Sequence, residues 1–409
     1  MSPKSTLHDE MGVFNGFFLV FGLWPTWNNQ KYKTPLLLYS IFSISLVFFI
    51  FVSAIFINEV LDDSSLSTAI AYSFMLSILT THLIIVVQSL FYRNAQFKLI
   101  QKISYVDRLF NTKLQIFISY RNEKKELFIR MTLLLAIFVA IKVGLVLHLY
   151  SQNRLGSFWY HCFYSIWIMR LRCVQVLFFV YLLRTRLILV NDKIKEILAA
   201  RNLHSGDTTE WQPIVDTRNI VFVMDNSNTK YSTYDRLLNL KQIYGELYEI
   251  CELINITFGW SLLAITTQCF IDFTSNSYWT FIALEQNTPD IAQSIDNISL
   301  LIPIIIVLSL LAYFCSSCSR YARFMGSYLH RITREKENEP QNDLVREFSL
   351  QVIHEPISIT ANGFFNIDFD LLGSMAAATI TYLVILIQFE LSDKEIQNMS
   401  ATNGTMWST

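Results

Sequence analysis

Seven stretches of this chain are long and apolar enough to cross about 30 Å of hydrocarbon as helices rising 1.5 Å per residue. They are 36–57, 69–92, 132–150, 158–183, 254–271, 298–319 and 367–389. A bilayer offers no water to backbone N–H and C=O groups, so each crossing must satisfy them internally. The expectation is an all-α fold, a seven-transmembrane-helix membrane protein. Composition agrees: 52% of the 409 residues are hydrophobic and 16% are charged, where a soluble domain carries about 25% charged. No internal repeat is present. Residues 11–24 are apolar but short for a crossing, and read as an interfacial or re-entrant helix; a first true span is the alternative.

Basic residues set the orientation. Of the 32, 27 fall in segments 1–35, 93–131, 184–251 and 320–350, on one side. Two, Arg154 and Lys394, fall on the other; Lys142, Arg170 and Arg172 lie within spans. The N-terminus is expected to be cytoplasmic and the C-terminus extracellular. The sequons at Asn398 and Asn403 then lie outside, as glycosylation candidates. The stretch 201–235 is rich in Asn, Asp, Ser and Thr and reads as a partly disordered loop.

This topology is the reverse of a G-protein-coupled receptor, and no Asn-Pro-x-x-Tyr stands near the last span. An inverted seven-helix zinc hydrolase needs converging His and acidic ligands. The His residues, at 8, 82, 148, 161, 204, 330 and 354, include no two spaced three or four apart. No enzyme, metal, cofactor or nucleic-acid signal emerges. Cys315 and Cys318 lack a second pair and read as packing, while Cys162 and Cys269 could meet as a disulfide.

The last span carries polar interruptions at fixed spacing. In "TYLVILIQF", residues 381–389, Thr381 and Gln388 share one helical face with Ser374, Ala377 and Ile385; Tyr382 and Phe389 share the next. Polar groups in lipid face protein or a wet lumen. Two readings stay open: glue between helices, or a pore lining, which demands several copies around an axis. Ten acidic residues face two basic ones on the outer side, and Glu390 follows Phe389 directly. Repeated by symmetry, Glu390 would form a cation-concentrating ring.

Thr381-Tyr382, five apolar residues and Gln388-Phe389 resemble the signature of the insect gustatory receptor family, in the last of seven spans. Upstream, "EFSLQVIHEPISITANGFFNIDFDLLGSMAAATI" is similar to that family's order of helix, Gly-Phe-Phe break and final helix. The resemblance implies a tetrameric, nonselective cation channel opened by tastants, with the final helix lining the pore. Gln388 and Phe389 match the constriction, and Thr381 and Tyr382 the positions that brace it. It also implies a cytoplasmic segment over 1–35, six spans within 36–343 with anchoring extensions, a cytoplasmic helix plus pore helix over 344–389, and an extracellular tail over 390–409. The first part of 344–389 reads as a helix over 344–362, closed by Pro356 and Gly363. Leu383 stands where the main sugar branch tends to place Glu, which favours bitter- or fructose-type branches.

The same resemblance implies a ligand pocket in the outer half of the bundle. Tyr160, Tyr164 and Trp167 recur on one face of the fourth span, with Arg170 a turn deeper. Thr267, Gln268 and Asp272 of the fifth span, Tyr72 of the second and His148 of the third complete the candidates. Ordinary packing is the alternative for each. Arg170 and Lys142 weigh most, because an ionisable group in a span is costly unless paired or functional, and Asp272 is a possible partner. The expected function is a tastant-gated channel of the plasma membrane, multi-pass, binding a sugar or bitter compound. It would assemble as a homotetramer or with other gustatory receptors, in contact with membrane lipid. An odorant-receptor-type heteromer is the alternative.

Overall fold

The computed structural model describes residues 12–23, 33–56, 66–118, 120–152, 157–205, 221–223, 233–285, 289–332 and 339–406. The elements are α1 (Gly12–Val20), α2 (Lys33–Phe56), α3 (Leu66–Phe91), α4 (Arg93–Leu114), β1 (Ile116–Ile118), α5 (Tyr120–Ser151), α6 (Ser157–Ser205), β2 (Val221–Val223), α7 (Thr233–Glu285), α8 (Ile291–Ile332), α9 (Glu339–His354) and α10 (Phe369–Met406). Among the described residues, seven helices are long and apolar enough to span a membrane: α2, α3, α5, α6, α7, α8 and α10. The chain is an all-α, multi-pass membrane protein.

Several helices outrun their apolar windows. The fifth crossing, expected over 254–271, lies inside the 53-residue α7, and the sixth inside the 42-residue α8. The segment 272–297 is therefore mostly helix, and α10 continues through the tail sequons to Met406. The loop acids Glu59, Asp62 and Asp63 lie outside the described residues, as does most of the loop around 201–235. From that loop β2 pairs antiparallel with β1, Ile116 opposite Val223.

α6 is the axis of the chain. Its apolar window is 100% buried, while that of α10 is 6% buried. α6 also carries the buried arginines of the described residues, and Arg172, Arg184 and Arg186 have each found acceptors. Arg186 reaches Asp107 of α4 at 2.9 and 3.0 Å and Glu123 of α5, all nearly sealed from solvent. Burial pushes the Glu123 carboxyl up, and the Arg186 charge works against that. Arg172 donates to Gln175 at 2.8 Å, Ser261 at 3.1 Å and the Thr257 carbonyl at 3.3 Å, and lies over the Phe258 ring. Gln88 accepts from the Ser261 backbone N–H at 2.6 Å, tying α3 to α7.

The apolar segment near the N-terminus folds back onto this core rather than crossing. α1 ends in a turn at Gly22, whose φ of 72° suits glycine. Phe18 and Leu23 are buried. The Leu23 carbonyl accepts from Gln96 of α4 at 3.4 Å and Gln175 of α6 at 3.3 Å.

Two expectations are corrected. The helix expected over 344–362 stops at His354, because Pro356 drives the residue before it out of helical geometry. A tight hairpin follows, with Asn362 and Gly363 at positive φ and a Thr360–Asn366 bridge. Cys162 and Cys269 carry free thiols, each buried in packing.

Candidate functional site

The turn from α9 into α10 is built by residues on α7. Asn255 donates to the Ser358 carbonyl at 3.0 Å and accepts from the Thr360 N–H at 3.0 Å, so one amide clamps both sides of the hairpin. Gly259, one turn on, lets the hairpin approach: a Cβ there would stand 2.9 Å from the Asn362 nitrogen. Asp368 then caps α10, its carboxylate accepting from the Leu371 N–H at 3.0 Å.

Within the chain, α10 is largely uncovered. Ser374, Ala377, Thr381, Ile385 and Gln388 are all exposed, so the stripe is not consumed by packing inside one copy. Thr381 bonds back to the Ala377 carbonyl at 3.1 Å and Ser374 to that of Asp370 at 2.9 Å, which makes both tolerable in an apolar helix. Tyr382 stacks edge-on with Phe270 of α7, and Glu390 accepts from the Tyr278 hydroxyl at 2.8 Å. Phe389 is 60% exposed. α10 therefore meets its own chain along α7 and α8, and leaves the Thr381–Gln388 face uncovered.

A second feature lies between α5, α6 and α8. Phe138, Lys142, Val143, Val146 and Leu147 of α5, Phe163, Ile166, Trp167 and Arg170 of α6, and Pro303 of α8 enclose a cavity of about 320 Å³. That is the lower end of the range for small-molecule sites, which are mostly apolar with a few convergent polar groups. Pro303 has no N–H to give its helix, which breaks the α8 ladder at the cavity wall. Lys142 lies over the Phe163 ring at 5.4 Å.

The structure brings Trp167 and Arg170 into this cavity and distributes the other expected ligand residues elsewhere. Tyr164 turns toward α3, where its ring meets His82. Tyr72 packs against the core. Thr267 is exposed and bonded to the Leu263 carbonyl at 3.0 Å. Gln268 donates to Asp272 at 2.6 Å, both buried behind the cavity wall. His148 pairs with Asp296 at 2.6 Å, strapping α5 to α8. The Tyr160 side chain and those of Asn398 and Asn403 lie outside the described residues. Sequence reasoning missed Phe138, Val146, Phe163 and Pro303. A signal was available: Phe138, Lys142 and Val146 recur every fourth residue, placing aromatic and apolar walls around an embedded lysine.

Comparisons with known proteins converge on one group. The family model described as 7tm Chemosensory receptor matches residues 12–393. Gustatory receptor 23a of Drosophila melanogaster is 34% identical over 170 residues, which are 42% of this chain and 44% of that one, so the match spans less than half of that relative. Another Drosophila melanogaster gustatory-receptor relative is 26% identical over 83% of this chain and 82% of its own length. Among solved structures, the insect olfactory receptor OR5 from Machilis hrabei superposes with a TM-score of 0.62 at 13% identity, covering 93% of this chain and 98% of that one. Its complex with eugenol gives a TM-score of 0.57 at 15% identity. The fold is thus shared with an insect olfactory receptor. With the family model spanning nearly all of its length, this seven-helix chain belongs to the 7tm chemosensory receptor family.

Proposed function

We propose that the chain is a subunit of a tastant-gated, nonselective cation channel in the plasma membrane of chemosensory cells. The observation that carries this reading is the bare polar stripe of α10. Back-bonded Ser374 and Thr381 are tolerable in lipid, but the Gln388 amide on the same face is costly against hydrocarbon, so the face as a whole is best turned to water or to another copy. Four copies turned about a shared axis place these residues on a conduit, with Gln388 and Phe389 at its narrowest point and Glu390 near its mouth. In the same reading the N-terminus is cytoplasmic, the tail is extracellular and glycosylated, and the family's relatives in Drosophila melanogaster supply the taste assignment.

The ligand enters the cavity between α5, α6 and α8. Its binding repacks α6 and α8 against α7. α7 grips the pore helix at two heights, through Phe270–Tyr382 and Tyr278–Glu390, and grips its entry hairpin through Asn255. A shift of α7 therefore turns α10 and widens the Gln388–Phe389 constriction.

The test is whole-cell current from cells expressing this chain alone, screened with sugars and bitter compounds. Ligand-evoked cation current without G-protein signalling supports the reading. Current only after adding a second receptor subunit assigns it to a heteromer. Absence of current in every combination, with the protein at the cell surface, rejects the channel.

A further inference from the structure

The accessible walls of the cavity are almost wholly apolar, and the two polar side chains that help to build them, Lys142 and Arg170, are cationic. Arg170 is buried, at 4% exposure, and forms part of the lining. Its Nε and Nη1 have no hydrogen-bond partner among the described residues. The other buried arginines of α6 differ: Arg172, Arg184 and Arg186 all donate to side-chain acceptors. Lys142 lies on the same wall, close enough to Arg170 for the two charges to repel. One acid, Asp272, lies within electrostatic reach of both cations, but it does not line the cavity and its carboxylate is engaged by Gln268. Among the described residues, two cations against one acid, with unpartnered guanidinium nitrogens sealed just behind an aromatic wall, make a site short of an anion's charge. A buried arginine left half-satisfied is costly, and its planar fork fits a carboxylate better than any neutral group.

Resting on the reading of this cavity as the ligand site, we infer that the ligand is an amphipathic monoanion headed by a carboxylate. Its charged end is taken by Arg170 and Lys142, and its apolar body lies against Phe138, Trp167 and Pro303. A sugar ring fits poorly, because the remaining walls offer it no further hydrogen bonds. The same chemistry could reach the site from water as a small free acid, or from the bilayer as a fatty acid, since Val143 and Leu147 of α5 are exposed at the cavity's edge.

The experiment uses the full chain in phosphatidylcholine nanodiscs, with empty nanodiscs subtracted. Saturable binding of hexanoate, octanoate and phenylacetate is compared with that of hexanol, octanol and 2-phenylethanol. The inference expects at least one carboxylate to bind about tenfold tighter than its alcohol, the advantage of a charge-assisted pair. Arg170→Gln abolishes that preference, Arg170→Lys keeps part of it, and Lys142→Gln weakens it with the fold undisturbed. Adding oleic acid to the bilayer separates the sources. Competition that lowers carboxylate affinity in the wild type, but changes nothing in Arg170→Gln, identifies the bilayer as a supplier of the anion. Alcohols binding as tightly as carboxylates, and excluded by the cavity-filling Val146→Trp, overturn the anion while leaving the cavity as the ligand site. No saturable binding of any carboxylate in either bilayer overturns the inference outright.

Discussion

Tyr382 on α10 meets Phe270 on α7 edge-on, with ring centroids 5.8 Å apart. An edge-on aromatic pair contributes about 0.5–1.5 kcal/mol beyond its buried area. In the proposed channel the Tyr382 ring is the element through which α7 acts on the gate. Phe270→Leu and Tyr382→Leu should each shift the ligand dose–response curve, by about two- to tenfold for a loss of this size. The double variant should add little to either. Additive shifts, read from concentration–response currents, would show the two rings acting independently.

Gln388→Ala and Phe389→Ala should raise the resting conductance or free it from ligand control. Both side chains are exposed on one copy, so neither substitution disturbs the fold of the subunit. Surface expression should stay at the wild-type level while basal current changes. Unaltered gating in both variants removes the constriction from this part of α10.

The hairpin before α10 offers a stability test. Gly259→Ala forces a methyl group to within 2.9 Å of backbone at Asn362, which is not a flexible side chain that can step aside. Overpacking of this kind costs about 1–3 kcal/mol. Asn255→Ala deletes two hydrogen bonds worth about 0.5–1.5 kcal/mol each and strands a backbone N–H at Thr360. Both should lower the thermal midpoint of the detergent-solubilised protein. A control change at the exposed Gly373, where an added methyl meets nothing, should not.

Arg186, Asp107 and Glu123 form a buried triad joining α4, α5 and α6. Arg186 is the one cation between these two carboxylates, so removing it leaves uncompensated buried charge and costs about 3–5 kcal/mol. Arg186→Met should therefore cut surface expression sharply, whereas Asp107→Asn or Glu123→Gln, each leaving one cation with one carboxylate, should cut it less. Replacing all three by apolar residues of similar volume should recover much of it, which distinguishes a burden of charge from a loss of shape.

The tail tests the orientation. Asn398→Gln and Asn403→Gln, singly and together, should step the apparent mass down, with faster migration, if the tail faces the lumen during synthesis, and treatment with a deglycosidase should reproduce the step. A mobility unaffected by either substitution or by the enzyme removes the tail sugars.

The seven crossings were readable because a bilayer imposes a length and a polarity that few other environments demand. Where the apolar signal ends the constraint ends too, so the extensions that lengthen α7 and α8 left no equally sharp mark. The helix expected through 362 failed at Pro356, whose geometric veto outweighs the periodicity around it. The Thr381-Tyr382 and Gln388-Phe389 positions were legible from spacing, and the exposure of that face in one copy agrees with a role between copies. The ligand wall was less legible. Sequence periodicity found that α6 has an aromatic face, but not its phase against its neighbours. The face taken through Tyr160, Tyr164 and Trp167 lies a fraction of a turn from the one that lines the cavity through Phe163, Trp167 and Arg170. The β1–β2 pairing joins two three-residue strands from distant parts of the chain, too short for any alternation to announce them.

Leu23 closes the account of how this molecule should be handled. Its carbonyl is gripped by glutamines from two different helices, so residues 12–23 are a stopper seated in the bundle. An expression vector that trims them, or a rigid fusion abutting Gly12, would uncork the interior and orphan two amides at once. A label intended to be silent belongs on a flexible tether upstream of that plug.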